Sequence, residues 1–559
     1  MSVILADPPP PVDNTWATPA IAVPVTIVLA LAVLYLVRSA RASTTTADGF
    51  LLADRRIGPV QNALAVASAP LMYSTMYIIT GHIALSGYDA ILLMTAFTMG
   101  TMLALFLFAG PVRNVGGYTL GDLLAVRTRE RPARMASAVL TLLTYVMLTV
   151  IMMAAIAFIF NRWFGVDALV GLVLPVFVVG LITVGYVYLG GMLGVTRILV
   201  FKLVLSVVVV GVLTAWVLAR FDLNLFSLLE RAEANAAPVP SGSDLLGPGR
   251  LFGEGATTLV HLSKLFAIAV GVAAIPFLFM RNFAVTSGRD ARRSTGWASM
   301  IIVGFYLCLS VVGLGAVAIL GRDNIGVIKA HRDISFPKLA DELGGPVMVG
   351  SLAGVAVLTI VGVFAPLLHS AVTTVTKDLN VLRGRRLDPA AELKDIKRNT
   401  LIIGVGSVLL AVAMLPVRTH IFIPTSIDVA GAVVLPIVVY ALFWSRFNTR
   451  GLQWTVYGGL ALTAFLVLFS NGVSGEPDAI FPDRNFKFVD VEPALITVPV
   501  GFLLGYLGSI TSRERDDAAF AEMQVRSLTG AVATGPARSA AVDDEDRDGR
   551  QDRAPSPVS

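Results

Sequence analysis

The sequence predicts an all-α polytopic membrane protein, and three observations carry that prediction. Mean hydropathy is +0.76. Hydrophobic residues make up 55% of the 559 and charged residues only 14%, too few charges for a soluble chain of this length. The apolar residues fall into about thirteen runs, each near the length that crosses a bilayer as a helix. The same composition argues against an enzyme and against a nucleic-acid surface. There is no nucleophile beside a base and no phosphate-binding loop, and the basic residues follow membrane topology. The five histidines are scattered, and no cysteine pair offers metal-ligand spacing. The single cysteine, Cys308, sits in FYLCLSVVGLG and reads as a small buried hydrophobe. No cofactor is expected.

The N-terminal stretch 1–18 has no basic region ahead of its short apolar run, so it reads as an outer tail rather than a signal peptide. The first expected span is 19–38. The others are 58–86, 89–110, 134–160, 167–189, 195–219, 259–280, 296–320, 346–376, 399–417, 421–445, 453–470 and 492–510. Basic clusters follow alternate spans. They include Arg38 and Arg41 after the first, Arg127 and Arg131 after the third, and Arg197 and Lys202 at the turn after the fifth. Arg281 and Arg289 follow the seventh, Lys377 and Arg383 the ninth, and Arg446 and Arg450 the eleventh. The positive-inside rule makes that side cytoplasmic, with the N-terminus outside and the C-terminus inside a cell membrane. The opposite loops carry acids such as Glu476, Asp478 and Asp483. The outer loop 221–254 is rich in Ala, Pro, Gly and Ser and is expected to be irregular. The stretch 512–559 is polar and is expected to be a disordered cytoplasmic tail.

One span is interrupted. The stretch Gly58–Gly87 holds Pro70, with Ser68, Tyr73, Ser74 and Thr75 around it. A proline removes a donor and frees a carbonyl at membrane depth, which is tolerated where backbone is buried or lines a cavity. Two readings stand: an ordinary kinked helix, or a broken helix that builds a ligand site. Span 259–280 carries its own breakers, Gly271 and Pro276. His369 follows Pro366 in FAPLLHSAVTTVTKDL; it is either a neutral interhelical histidine or a proton-coupling group. Lys264 either draws anions inward or snorkels to the outer interface.

Four loops carry specific strings: LSGYDA (85–90), GGYTLGDLLAVR (116–127), YVYLGGMLGVTR (186–197) and IPFLFMRNFAVTSGRDARRS (275–294). Together they resemble the sodium:solute symporter family, and most closely its cation–acetate symporter (acetate permease) branch, over about 50–512. The resemblance implies a LeuT-like core of two inverted five-helix repeats, 58–219 and 259–445. It adds a helix before them and two after, at 453–511. The two interrupted helices then occupy corresponding places in the repeats, which points to a midplane site. It further implies a symporter that imports a small monocarboxylate such as acetate with Na+ or H+. Substrate would be held by Pro70, Tyr73, Ser74 and Thr75 at the first break. Gly271, Ile275 and Phe277 would serve at the second.

The coupling ion is where this chain departs from the family pattern. The two carbonyls that sodium-coupled members supply map to Ala69 and Met72. The two hydroxyl residues they supply map to Gly362 and Val363, which have no side-chain oxygen. The branch usually shows Asp-x-x-Ser at the first pair, and prefers an aromatic and a Gln where the sixth span of this chain opens with Arg197, Ile198 and Leu199. Na+ is the family expectation and H+ the alternative, with His369 as its candidate carrier. A non-transporting receptor on the same scaffold is the rival from another class.

Overall fold

The computed structural model describes residues 19–164, 169–236, 244–250, 258–321, 324, 332–385, 387–417, 419–476 and 479–531. The expected outer tail 1–18 lies outside them. A helix stands at each expected span. They are α1 (Pro19–Ala40), α2 (Pro59–Ser68), α3 (Ile79–Ser86), α4 (Tyr88–Val115), α5 (Glu130–Phe164) and α6 (Leu169–Arg220). Then come α7 (Thr258–Val272), α8 (Pro276–Asn282), α9 (Gly288–Leu320), α10 (Ser335–Thr374) and α11 (Pro389–Met414). The last are α12 (Phe422–Val429), α13 (Leu435–Phe443), α14 (Thr449–Leu468), α15 (Ala494–Ile510) and α16 (Asp517–Thr529). No strand is found among the described residues, only isolated bridges such as Ile57 with Val285.

Local chemistry sets the ends. Asp388, Asn448, Ser287 and Asp516 each accept a hydrogen bond from a first-turn N–H of the helix they precede, which satisfies a donor the helix itself cannot. The short helix Leu120–Ala125 opens on a reciprocal capping box between Thr119 and Asp122. Two expected spans, 167–189 and 195–219, run together as α6. The chain turns inside it at Gly191, with φ 50° and ψ −148°. A Cβ there would lie 2.7 Å from the Phe50 carbonyl, so both conformation and space require glycine.

α6 is the central partner of the bundle. It packs on α1, α2, α5, α9, α10 and α11. α10 is the most enclosed span: every residue from Leu352 to Thr374 except Val357 is buried. At the basic face, Asp378 ties three segments together. It accepts from Thr119 Oγ1 at 2.8 Å, Ser137 Oγ at 2.7 Å and Arg134 Nη1 at 2.8 Å.

Two expectations about loops need correction. The outer loop 221–254 contains a helix, Leu225–Ala234, capped by Asn224. The stretch after Ser512 is not uniformly irregular. Residues Asp517–Thr529 form α16, whose Met523 is fully buried. Asn114 Nδ2 donates to the Ser527 carbonyl and Gln524 Nε2 to the Leu442 carbonyl. The sequence signal was masked by the surrounding charges: few apolar residues are needed to seat one short face. Residues 532–559 lie outside the described part.

Candidate functional site: two broken helices

The first break falls between α2 and a single π turn at Ser74–Ile78. Pro70 has no N–H to give, so the ladder stops. Thr75 holds the unwound segment together. Its Oγ1 lies 2.8 Å from the Pro70 carbonyl and 2.9 Å from the Met72 carbonyl, and it accepts from the Met72 N–H at 2.7 Å. Tyr73 is buried and donates to Asp333 at 3.0 Å. Ser74 is half-buried. The second break spans Ala273–Ile275 between α7 and α8, where Ile275 is extended and Pro276 opens the next helix. Gly271 faces α12 rather than open space: a Cβ would meet the Ile427 carbonyl at 2.3 Å.

Beside the second break, toward the basic face, lies a small cavity. Phe277, Arg281, His369, Ser370, Thr373 and Tyr118 are among its walls. Of the residues expected to hold substrate, Phe277 lines it; Pro70, Tyr73, Ser74, Thr75, Gly271 and Ile275 do not. Arg281 had read as the top of an interfacial basic cluster. It is only 2% exposed. Its Nη2 donates to Thr196 Oγ1 at 3.2 Å, while Nε and Nη1 find no partner among the described residues. His369 stacks on Phe50, its Nε2 lies 3.0 Å from the Leu51 carbonyl, and Nδ1 has no partner among the described residues. Arg281 and His369 thus put unpartnered nitrogens beside an otherwise largely apolar hole.

The opposite, acidic face is closed over the first break. The turn Arg332–Ile334 lies on α3, so close that a Cβ at Gly81 would stand 2.0 Å from the Arg332 carbonyl. The Tyr73–Asp333 hydrogen bond ties the first break to the same turn. Asp89 pins the loop 244–250 by accepting from the N–H groups of Gly249 and Arg250 at 2.9 and 2.7 Å.

The expected ion positions are all buried or half-buried: Ala69 is 2% exposed, Val363 1%, Gly362 is buried and Met72 half-buried. Sequence reading missed their neighbour. Lys202 had been taken as marking the turn after the fifth span. It is 0% exposed, and its Nζ donates to the Ser68 carbonyl at 2.8 Å. The signal was present, since Lys202 stands inside the run expected to span 195–219, where an ionisable residue points to function.

Paired interrupted helices in a helical bundle, closed on one face and hollow toward the other, define a secondary transporter of the alternating-access kind. The chain belongs to the sodium:solute symporter family, whose model matches residues 50–459. It is 31% identical over 532 residues to a monocarboxylic acid transporter of Corynebacterium glutamicum, covering 93% of this chain and 96% of that one. It is 29% identical to the uncharacterized symporter YwcA of Bacillus subtilis, covering 87% of this chain and 94% of that one. Among solved structures, a Na+-coupled sialic acid symporter in a substrate-bound outward-open state matches with TM-score 0.70. That match has 13% identity and covers 89% of this chain and 99% of the symporter. Mhp1, a nucleobase-cation-symport-1 family transporter in a closed conformation, matches with TM-score 0.52 at 13% identity, covering 85% and 98%. These likenesses establish the LeuT-like fold. The chain is therefore a membrane-embedded, cation-coupled symporter and not an enzyme.

Proposed function

We propose that the protein imports a small monocarboxylate, with acetate first and propionate, pyruvate and glycolate next, across the cell membrane with its basic loops in the cytoplasm. The observation that carries the reading is Arg281. A buried guanidinium with two unpartnered nitrogens on a cavity walled by Phe277 suits a carboxylate with a short apolar body. The monocarboxylic acid transporter from Corynebacterium supports the same substrate class. Substrate enters past the first break when the Arg332–Ile334 turn lifts. It leaves by the Arg281 cavity after that turn closes. In this state the acidic face is shut and the anion would sit on its way to the cytoplasm.

The test is uptake of labelled acetate and pyruvate into proteoliposomes, with protein-free vesicles subtracted. Arg281→Met is expected to remove a buried charge-assisted contact worth about 2–5 kcal/mol. That raises KM by about 30-fold at the low end, while Arg281→Lys recovers part of the loss. Absence of saturable, protein-dependent uptake of any short monocarboxylate sinks the substrate reading. An unchanged KM in Arg281→Met sinks the role of Arg281.

A further inference from the structure

The end of α2 and the buried α10 meet at a point that a side chain, not an open site, occupies. The Ser68 carbonyl is at the C-terminal end of α2. It receives only a bent bond from the Leu71 N–H at 3.2 Å, because Pro70 has interrupted the ladder. Carbonyls at a helix C-terminus gather negative potential and attract a cation. Here the cation is Lys202, reaching across from α6 to that oxygen at 2.8 Å. On the other side its stem lies against Gly362 of α10. A Cβ at Gly362 would stand 2.6 Å from Lys202 Cδ and 3.6 Å from Nζ.

The missing hydroxyl and the lysine are therefore one feature. A side chain at 362, a hydroxyl included, would require the Lys202 stem to move. A sodium ion needs several oxygens from unwound carbonyls and hydroxyls, but position 362 offers none and Val363 offers carbon. The residues present do not fit the ion that the family implies. We propose that the Lys202 ammonium takes the place of the coupling sodium ion between the first broken helix and α10, and that transport is driven by a proton carried on Lys202 Nζ.

The step balances simply. Lys202 as amine takes one H+ from the outer solution and becomes an ammonium that bridges α2 and α10. It returns that H+ to the cytoplasmic side, and the freed amine lets the two helices part. One monocarboxylate anion and one proton cross together, with no net charge moved. Among the described residues, nothing holds the ammonium by opposite charge. The Ser68 carbonyl is its one hydrogen-bond acceptor among the described residues, and no ion pair includes it. A buried charge so thinly compensated is costly, which makes both protonation states accessible in turn as water reaches each side.

Most of the titratable groups on the surrounding elements have partners of their own. On α10, His369 is two turns from Gly362 and meets the Leu51 carbonyl. On α5, Tyr145 pairs with Ser407, and Arg134 with Asp378 and Asp122. On α6 itself, Arg197 bonds Ser39 on the helix α1. On α11, Asp395 pairs with Arg398 at the basic face. α9 carries Arg289, Asp290, Arg292 and Arg293 at its start, then Cys308 and Tyr306, whose buried hydroxyl has no hydrogen-bond partner among the described residues, and the helix α2 has no ionisable residue.

This inference rests on the symporter reading, and two measurements separate its failure from failure of that reading. The first uses full-length protein in proteoliposomes with labelled pyruvate. The wild type is expected to accumulate it under an inside-alkaline pH gradient and to ignore a Na+ gradient at fixed pH. Lys202→Met is expected to lose at least ten-fold of the pH-driven accumulation yet keep pyruvate counterflow, which needs no net proton movement. Accumulation driven by Na+ in the wild type, or pH-driven accumulation unchanged in Lys202→Met, overturns the proposal. The second measurement needs no substrate. Thermal unfolding of purified wild type is followed in NaCl and in choline chloride. Equal midpoints are expected, and specific stabilisation by Na+ overturns the proposal even if no monocarboxylate is carried or if Lys202→Met does not fold.

Discussion

Adding one methyl group at Gly81 should hold the acidic face open. In the closed state an alanine Cβ there would lie 2.0 Å from the backbone oxygen of Arg332 and 2.6 Å from its carbonyl carbon. Ordinary contact is more than 1 Å longer, so the Arg332–Ile334 turn must retreat by about that much. The obstructing atoms are backbone and cannot swing aside as a side-chain tip would. Overpacking of this kind costs about 1–3 kcal/mol. No such cost arises once the turn has lifted, so it acts on the equilibrium between states, shifting their ratio by about 5–150-fold. The retreat also lengthens the 3.0 Å Tyr73–Asp333 hydrogen bond, which ties the first break to the same turn. The assay is the rate at which a membrane-impermeant maleimide labels a cysteine at Ser74 in a Cys308→Ser background, from the acidic side, with and without Gly81→Ala. A five-fold or greater rise is expected. A rate that is unchanged or lower would refute the claim that this contact shuts the pathway.

Other outcomes follow from the same geometry. Thr75→Val removes the hydroxyl that bonds Pro70 and Met72, leaving their backbone groups only the Met72 N–H to Pro70 and Met76 N–H to Met72 bonds, a loss of about 0.5–1.5 kcal/mol. Uptake and thermal midpoint should both fall, and Thr75→Ser should restore them. Arg134→Met strands the fully buried Asp378 carboxylate, whose partner is 11% exposed. A loss of about 3–5 kcal/mol is expected, read as a lower midpoint in denaturation, with the double change Arg134→Met, Asp378→Leu milder than the single one. Met523→Ala opens a cavity under α16, costing about 2–5 kcal/mol of its docking. Limited proteolysis should then cut between Arg515 and Arg526 in the variant and spare the wild type.

Much of the fold was legible because bilayer physics simplifies the code. Runs of apolar residues had to be helices, and a proline at 70 or 276 had to interrupt one. What the sequence could not supply was which side chains meet across the bundle. Lys202 looked like a loop marker because Arg197 and a Gly-Gly pair stand just before it. Its role rests on the absence of a side chain at Gly362, more than a hundred residues away. Arg281 was misread for a related reason: basic residues crowd its neighbourhood, and only packing separates the buried one from those at the surface. Phe277, expected as a wall of the substrate pocket, lines the cavity beside the second break. Tyr73 was expected to face substrate and instead reaches the turn that covers the acidic face. That difference depends on the position of Asp333, which no local pattern encodes.

The buried Arg127 adds a constraint of timing. Its guanidinium donates to the carbonyls of Trp444, Ser445 and Phe447, and to that of Asp516, with Phe520 stacked 4.9 Å below. Every one of these partners is made late: Asp516 lies 389 residues downstream. At about 5–20 residues per second, Arg127 waits roughly 20–80 s on the nascent chain before its last acceptor emerges. Until then the basic side of the bundle has a charged side chain in a socket without walls. The interval in which a newly inserted molecule has this socket open is set by the synthesis of the segment around Asp516.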